Sequence, residues 1–225
     1  MMKFLKKFYL GIIMVFLYIP IVILILQSFN AGESRAKWEG FSLHWYAELL
    51  RDERILNALY VTVSIAVIAM VVSTILGTLA AIGIHAMKKR PQALMMTLTN
   101  LPNTMPDIVT GISLMLLFLF TKVERGYVTM LLAHITFDTP YVILSVLPKL
   151  KQMNRHTYEA ALDLGATPTY ALFRVIIPQC KQGIITGAML AFTLSLDDFT
   201  ISYFTTSPLV QNLSTLIYSA TRTGI

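Results

Sequence analysis

Glu159-Ala160-Ala161-Leu162-Asp163-Leu164-Gly165, followed after nine further residues by Val175-Ile176-Ile177-Pro178, is the stretch on which the reading of this chain turns. Ala, Leu and Glu favour helix, so the spacing predicts a first helix over 154–164. Gly165 stands where that helix should stop, because glycine tolerates the left-handed conformation of a helix C-terminus. Thr167-Pro168 restarts the chain: Thr caps a helix N-terminus, and Pro fits the first turn, where no N–H partner is needed. A second helix is expected over 168–176, with Pro178 ending it. The result is two helices with a sharp corner, polar enough to sit in water. Local pattern alone also suits an ordinary helical hairpin on the inner face of a membrane protein.

Everything on either side of this hairpin is apolar. Of 225 residues, 56% are hydrophobic and 13% charged, with a mean hydropathy of +0.66. A soluble domain carries roughly 25% charged residues, so the composition is that of a membrane protein. The single cysteine, Cys180, excludes an intrachain disulfide and a cysteine-rich metal site. A net charge of +6 would suit nucleic acid, but the Lys and Arg sit in short clusters between apolar runs, which is the pattern of topology control.

Five spans are expected in an all-α, polytopic bundle. The first covers 8–29, with Pro20 as a kink. Its basic start resembles a signal peptide, but it is too long and no small-x-small cleavage pattern follows, so it is read as a retained span. The polar segment 30–54 holds Trp38, Phe41, Trp45 and Tyr46, which suggest a short interfacial helix, a docking surface for an outside partner, or both. The second span covers 55–87, with Ser64, Ala69, Ser73, Gly77, Ala80 and Ala81 allowing close helix packing. Lys88-Lys89-Arg90-Pro91 reads as a tight basic turn. The third span, 93–120, is interrupted by Pro102, Asn103, Pro106 and Asp107, as tolerated where backbone lines a cavity or is buried in protein. The fourth covers 127–147, ended by Pro148. The fifth covers 183–204 and opens with the small-xxx-small pair Gly183 and Gly187. Residues 205–225 are mildly amphipathic and hold no sixth apolar run.

Basic residues set the orientation. Lys3, Lys6, Lys7, Lys88, Lys89, Arg90, Lys149, Lys151, Arg155, Arg174 and Lys181 fall on one side. Arg35, Lys37, Arg51, Arg54, Lys122, Arg125 and Arg222 fall on the other, mixed with acids. The denser side is expected to be cytoplasmic, which places the N-terminus and the hairpin there.

Four acids lie within the spans: Asp107, Asp138, Asp197 and Asp198. An acid at the centre of a spanning helix costs roughly 2.5–3.5 kcal/mol, so such residues usually face a bundle interior or a water path. A wholly acidic set suits a cationic substrate or protonation. Each acid also has a plainer reading. Asp107 follows Pro106 and can cap a restarting helix. His134 lies one turn before Asp138, which makes a local contact plausible. Asp197 and Asp198 point different ways, so at most one faces a pathway.

The hairpin resembles the Glu-Ala-Ala motif of ABC-importer permeases, with two conservative departures in Val175-Ile176-Ile177-Pro178. The resemblance implies the type I permease fold as one domain over 1–225, with a coupling-helix loop over about 149–182. Glu159, Ala160, Ala161, Asp163, Leu164, Gly165 and Pro178 would couple to an ATPase. Glu159 would pair with a basic group or cap its helix, and Gly165 would set the corner. Phe192-Thr193-Leu194-Ser195-Leu196-Asp197-Asp198-Phe199, Pro106-Asp107-Ile108-Val109 and His134-Ile135-Thr136-Phe137 resemble the spermidine/putrescine branch of that family. This makes Asp107, Asp138, Asp197, Asp198 and Phe199 candidates for a translocation pathway in a bacterial inner membrane. The family pattern adds a sixth span beyond the loop that 205–225 matches.

The implied partners are a second permease subunit in a heterodimer, two cytoplasmic ATPase subunits and an extracytoplasmic substrate-binding protein, with no nucleic acid. ATP and magnesium would belong to the ATPase. The chain has no Gly-x-x-x-x-Gly-Lys-Ser/Thr of its own. No catalytic set stands out, and His44, His85, His134 and His156 lack metal-ligand spacing. The alternatives are an ABC permease for another small solute, an ion-coupled secondary transporter using the buried acids as proton carriers, and a membrane scaffold.

Overall fold

The computed structural model describes residues 2–33, 37–154 and 156–223. Arg35 and Arg155, counted in the charge balance, lie outside the described residues, as do the side chains of Lys3 and Lys6. The chain packs as two compact units, Met1–Leu56 and Asn57–Ile225.

In the first unit, α1 runs Met2–Gln27 with Pro20 inside it. Its Lys7–Gln27 part is long and apolar enough to cross a membrane. The segment after it is organised by Asn30, which is buried. Its Nδ2 donates to the Lys37 carbonyl at 2.7 Å, its Oδ1 accepts from Glu39 N–H at 2.8 Å, and its own carbonyl accepts from Trp45 Nε1 at 2.9 Å. The short helix expected here is α2, His44–Leu49. Tyr46 on α2 and Phe41 both lie against the Phe29 ring, at 5.4 and 5.3 Å between centroids.

A helix α3, Glu53–Ala86, leads into the second unit. Its 34 residues reach about 50 Å, well beyond the roughly 30 Å of bilayer hydrocarbon. The expected basic turn is a helix start instead. Lys89, Arg90 and Pro91 form the first turn of α4, Lys89–Thr104, where a proline's missing N–H leaves no bond unmade. The interruption of the third span is real but narrower than expected. Pro102 and Asn103 stay helical, and the chain breaks only at Met105-Pro106 before α5, Asp107–Phe120. The α4 and α5 axes bend by 105° at that break.

The centre of the second unit is α6, Tyr127–Gln152. It overruns the expected end: Pro148 lies inside it, and Lys149 and Lys151 occupy its last turn. The freed carbonyl four residues back is tolerated because packing, not that one bond, holds the helix. After the hairpin, α10 covers Lys181–Asp197 and runs antiparallel to α6. The fifth span is therefore shorter than 183–204. The chain turns at Asp198, and a separate short helix α11, Thr200–Thr205, follows. The amphipathic tail is α12, Leu213–Thr223.

Small residues let these helices touch. A Cβ built on Gly183 would lie 2.8 Å from the Ser145 carbonyl oxygen, and one on Gly187 3.1 Å from Val142 Cα. One on Gly77 of α3 would lie 2.6 Å from Val142 Cβ and 3.1 Å from the Thr139 carbonyl. Val142 thus sits between α3 and α10. The core below it gathers Ala81, Ile84, Val146, Leu147 and Leu150, with Ile176 and Cys180 from the base of the hairpin.

Among the described residues, three helices are long and apolar enough to cross a membrane, or up to five spans if each bent helix pair counts as one.

Candidate functional site

Two regions carry the candidate residues, one at each end of the α6–α10 pair. The first is the hairpin. Its first helix, α7, is His156–Asp163. Asn154 starts it, with Oδ1 accepting from His156 N–H at 3.0 Å. Gly165 has φ +86° and nothing within 4 Å of a built Cβ. Gly165 N–H donates to the Leu162 carbonyl at 2.8 Å and Ala166 N–H to the Ala161 carbonyl at 3.1 Å. That pair of bonds is the Schellman closure, which requires a left-handed residue at the corner. Thr167 Oγ1 then accepts from Tyr170 N–H at 3.3 Å and caps α8, Pro168–Ala171.

The second arm departs from expectation. After α8 the chain widens into a π-helical segment, Leu172–Ile176, in which Ile177 N–H reaches the Leu172 carbonyl. A short helix α9, Ile177–Gln179, follows. Pro178 does not end the arm. It sits in the first turn of α9, where its missing N–H costs nothing. The corner comes at Cys180, where the Pro168–Gln179 stretch meets α10 at 71°.

The expected coupling residues are on the surface. Glu159, Ala160, Asp163, Gly165 and Pro178 are exposed, Ala161 is half-buried, and Leu164 is 89% exposed. Glu159 pairs with a basic group on its own helix: His156 Nδ1 lies 3.0 Å from Glu159 Oε2. Ala161, Leu164, Gly165, Ala166, Thr167, Tyr170 and Val175 line an open groove of about 470 Å³.

The second region is polar and buried. His134 on α6 is 1% exposed. Its Nδ1 lies 2.5 Å from Ser195 Oγ on α10, and its Nε2 lies 3.0 Å from Ser202 Oγ on α11. The same Nε2 is 3.5 Å from Asp198 Oδ2. The acid that meets His134 is therefore Asp198, not Asp138. A packed helix contact has overridden the one-turn spacing. Asp198 also caps α11: its Oδ2 accepts from Ser202 N–H at 2.7 Å and its Oδ1 from Ile201 N–H at 3.2 Å.

Asn212 closes the cluster. Its Nδ2 donates to Ser202 Oγ at 2.9 Å and to the Asp198 carbonyl at 3.2 Å. Asn212 and Thr215 cap α12 reciprocally, each side chain accepting from the other's N–H at 3.0 and 3.1 Å. Ser202, Asn212 and Thr215 were not singled out from the sequence. The Asn-x-x-Thr spacing of a reciprocal cap was a usable signal for two of them.

The remaining acids scatter. Asp107 is exposed in the first turn of α5, where a carboxylate favours the helix N-terminus. Asp197 is exposed at the end of α10. Asp138 is fully buried, and neither carboxylate oxygen has a hydrogen-bond partner among the described residues. Phe199 belongs to an aromatic group, its ring 5.5 Å from Tyr203 and 4.8 Å from Tyr218. The structure brings together Asp197, Asp198 and Phe199 and leaves Asp107 and Asp138 on other elements. Among the described residues no cluster of His, Cys, Asp and Glu is arranged to hold a metal.

Known proteins are similar to this chain in sequence and in fold. The family model described as "Binding-protein-dependent transport system inner membrane component" matches residues 73–223. The putrescine transport system permease protein PotI of Escherichia coli (strain K12) is 39% identical over 217 residues, covering 93% of this chain and 77% of the relative. The spermidine/putrescine transport system permease protein PotC of Haemophilus influenzae is 34% identical over 222 residues, covering 99% and 86%. A chain in the crystal structure of a bacterial alginate ABC transporter, in complex with an alginate pentasaccharide-bound periplasmic protein, shares the fold with a TM-score of 0.74. It is 17% identical, over 99% of this chain and 84% of that one. These matches do not favour the ion-coupled carrier that the buried acids had raised, nor the membrane scaffold. The protein is a multi-pass membrane protein, and it belongs to the family of inner-membrane components of binding-protein-dependent transport systems.

Proposed function

We propose that this chain forms half of the translocation pathway of an ABC importer for polyamines, spermidine or putrescine. The observation that supports the transport mechanism is the way the hairpin is rooted. Its tip is exposed, while Ile176 and Cys180 at its base are buried with Leu147 and Leu150 of α6 and Ala81 and Ile84 of α3. Protein interiors are close-packed and transmit displacement. A push on α7 therefore moves the long helices instead of dissipating in a loop. The polyamine reading is supported by the relatives' names and by the acids Asp107, Asp138, Asp197 and Asp198, which lie on apolar elements and suit an ammonium-bearing solute.

In this reading the N-terminus and the hairpin face the cytoplasm, and α1, α3, the broken pair α4–α5, α6 and α10 are the five spans. Residues 149–182 form the coupling loop of one permease domain. Leu164 and the groove beside it seat against one of two cytoplasmic ATPase subunits, with Glu159 and Asp163 at the rim. The Schellman corner at Gly165 fixes the angle between the arms. ATP and magnesium belong to the ATPase. At the far end, Asp197 and Phe199 face a cavity shared with a second permease subunit, and a binding protein delivers the solute there. The spans alternate between outward- and inward-open arrangements.

The test is ATP hydrolysis by the assembled complex in liposomes with its binding protein, with and without spermidine or putrescine. Hydrolysis that rises only with the polyamine-loaded binding protein is expected. An ATPase that co-purifies but ignores both polyamines would remove the substrate while leaving the permease role.

A further inference from the structure

The polar cluster has one side chain at its hub. His134 reaches Ser195, the last buried residue of α10, and Ser202, in the first turn of α11. It also lies beside Asp198, which makes the turn between the two helices. These partners are 61 to 68 residues away in sequence. One imidazole thus braces a break in a helical path from both sides. The break matters because it ends α10 at Asp197 and puts Asp198 in extended backbone at φ −67°, ψ 125°. The directions of Asp197 and Phe199 follow from it.

Both ring nitrogens of His134 are engaged within the cluster. Ser202 Oγ accepts from Asn212 Nδ2 and lies 3.0 Å from His134 Nε2. His134 Nδ1 meets Ser195 Oγ on the other side of the ring. Asp198 is occupied by the two backbone N–H groups of α11. Every member of the cluster has a partner inside the cluster. A fully satisfied buried network rigidifies what it touches.

We propose that His134 is a positioning residue: its Nε2 contact with Ser202 holds α11 at the break after α10, in the geometry that aims Asp197 and Phe199 into the pathway. The proposal rests on the pathway reading above. It makes a specific demand of the two nitrogens. An Asn side chain places its amide nitrogen near Nδ1, and a Gln side chain reaches the Nε2 position. His134→Asn therefore keeps the bond to α10 and loses the brace on α11. His134→Gln keeps the brace on α11.

The experiment measures solute moved per ATP hydrolysed, with labelled spermidine and labelled putrescine and the polyamine-loaded binding protein, for the assembled complex in liposomes. A merely structural role lowers the amount of working complex, so uptake and hydrolysis fall together and their ratio stays. A positioning role lowers the ratio. Loss of the buried bond to Ser202 corresponds to about tenfold, so His134→Ala and His134→Asn are expected to move about tenfold less polyamine per ATP. His134→Gln is expected within about threefold of the unsubstituted chain. Should His134→Ala fail to assemble, the Asn and Gln pair carries the comparison. An unchanged ratio in His134→Asn, or equal losses in Asn and Gln, overturns the proposal alone. An unsubstituted complex that hydrolyses ATP but moves neither spermidine nor putrescine overturns the polyamine reading and the proposal with it.

Discussion

The hairpin and the His134 cluster lie at opposite ends of the same two helices and are built by opposite means. The hairpin is held by bonds between near neighbours. Gly165 and Ala166 close on Leu162 and Ala161, Thr167 caps Tyr170, and Glu159 meets His156. The cluster is held across the fold, with His134, Ser195, Ser202 and Asn212 drawn from three helices and a loop. A region that must meet a partner can be specified locally and left exposed. A region that must hold a bend in a buried core needs partners from elsewhere, because water is not there to satisfy it.

The difference can be pressed hardest where α6 and α10 touch. Gly183→Leu drives side-chain atoms into the Ser145 carbonyl and the Val146 backbone, which cannot swing aside. Overpacking of this kind costs about 1–3 kcal/mol or more. It should separate the hairpin from its root and abolish membrane accumulation, measured by quantifying the folded chain in isolated membranes. Normal accumulation would mean that the helices can slide apart.

Gly165→Asp is expected to give the reverse pattern. A left-handed L-residue costs roughly 1–2 kcal/mol, and no neighbour lies close to the new side chain. Insertion should survive while ATP-coupled uptake is lost. Normal uptake in this variant would remove the hairpin from the mechanism.

The hairpin was legible because glycine, threonine and proline act on the backbone beside them. Gly165 and Thr167-Pro168 could be placed without knowing anything else in the chain. The same local rules misjudged Pro148 and Pro178. A proline was read as a stop, whereas tertiary packing carries α6 past Pro148, and the wide π turn delivers Pro178 to a position that needs no N–H. Partners were less legible than breaks. His134 and Asp138 share a helix face, but the contact was decided by Asp198 arriving from α11's turn, which no spacing rule within α6 reports.

Asp138 sharpens the contrast further. A buried carboxylate with no donor contributes a desolvation penalty of about 1–3 kcal/mol and no compensating bond. Asp138→Asn should leave thermal unfolding in detergent unchanged or shift it upward, in contrast to His134→Ala, which should lower it. A clear loss of stability in Asp138→Asn would show that the acid has a partner in the assembled membrane protein.

The smallest effect is expected from Thr167→Ala. It removes one exposed cap worth about 1 kcal/mol, with the fold rooted elsewhere. Faster hydrogen exchange confined to 167–176 is the expected readout; exchange spreading into α6 would mean that the hairpin is not locally held.

The central claim is that the exposed hairpin meets the ATPase and the opposite end does not. The chain's single cysteine is Cys180, which is buried, so one engineered thiol can be addressed cleanly. Leu164 is 89% exposed on the hairpin, and Leu209 is 95% exposed between α11 and α12. A cleavable cross-linker placed at Leu164→Cys and, separately, at Leu209→Cys in the assembled complex tests the claim directly. Capture of the ATPase subunit from position 164 and none from position 209 is expected. Capture from 209 with none from 164 would contradict it.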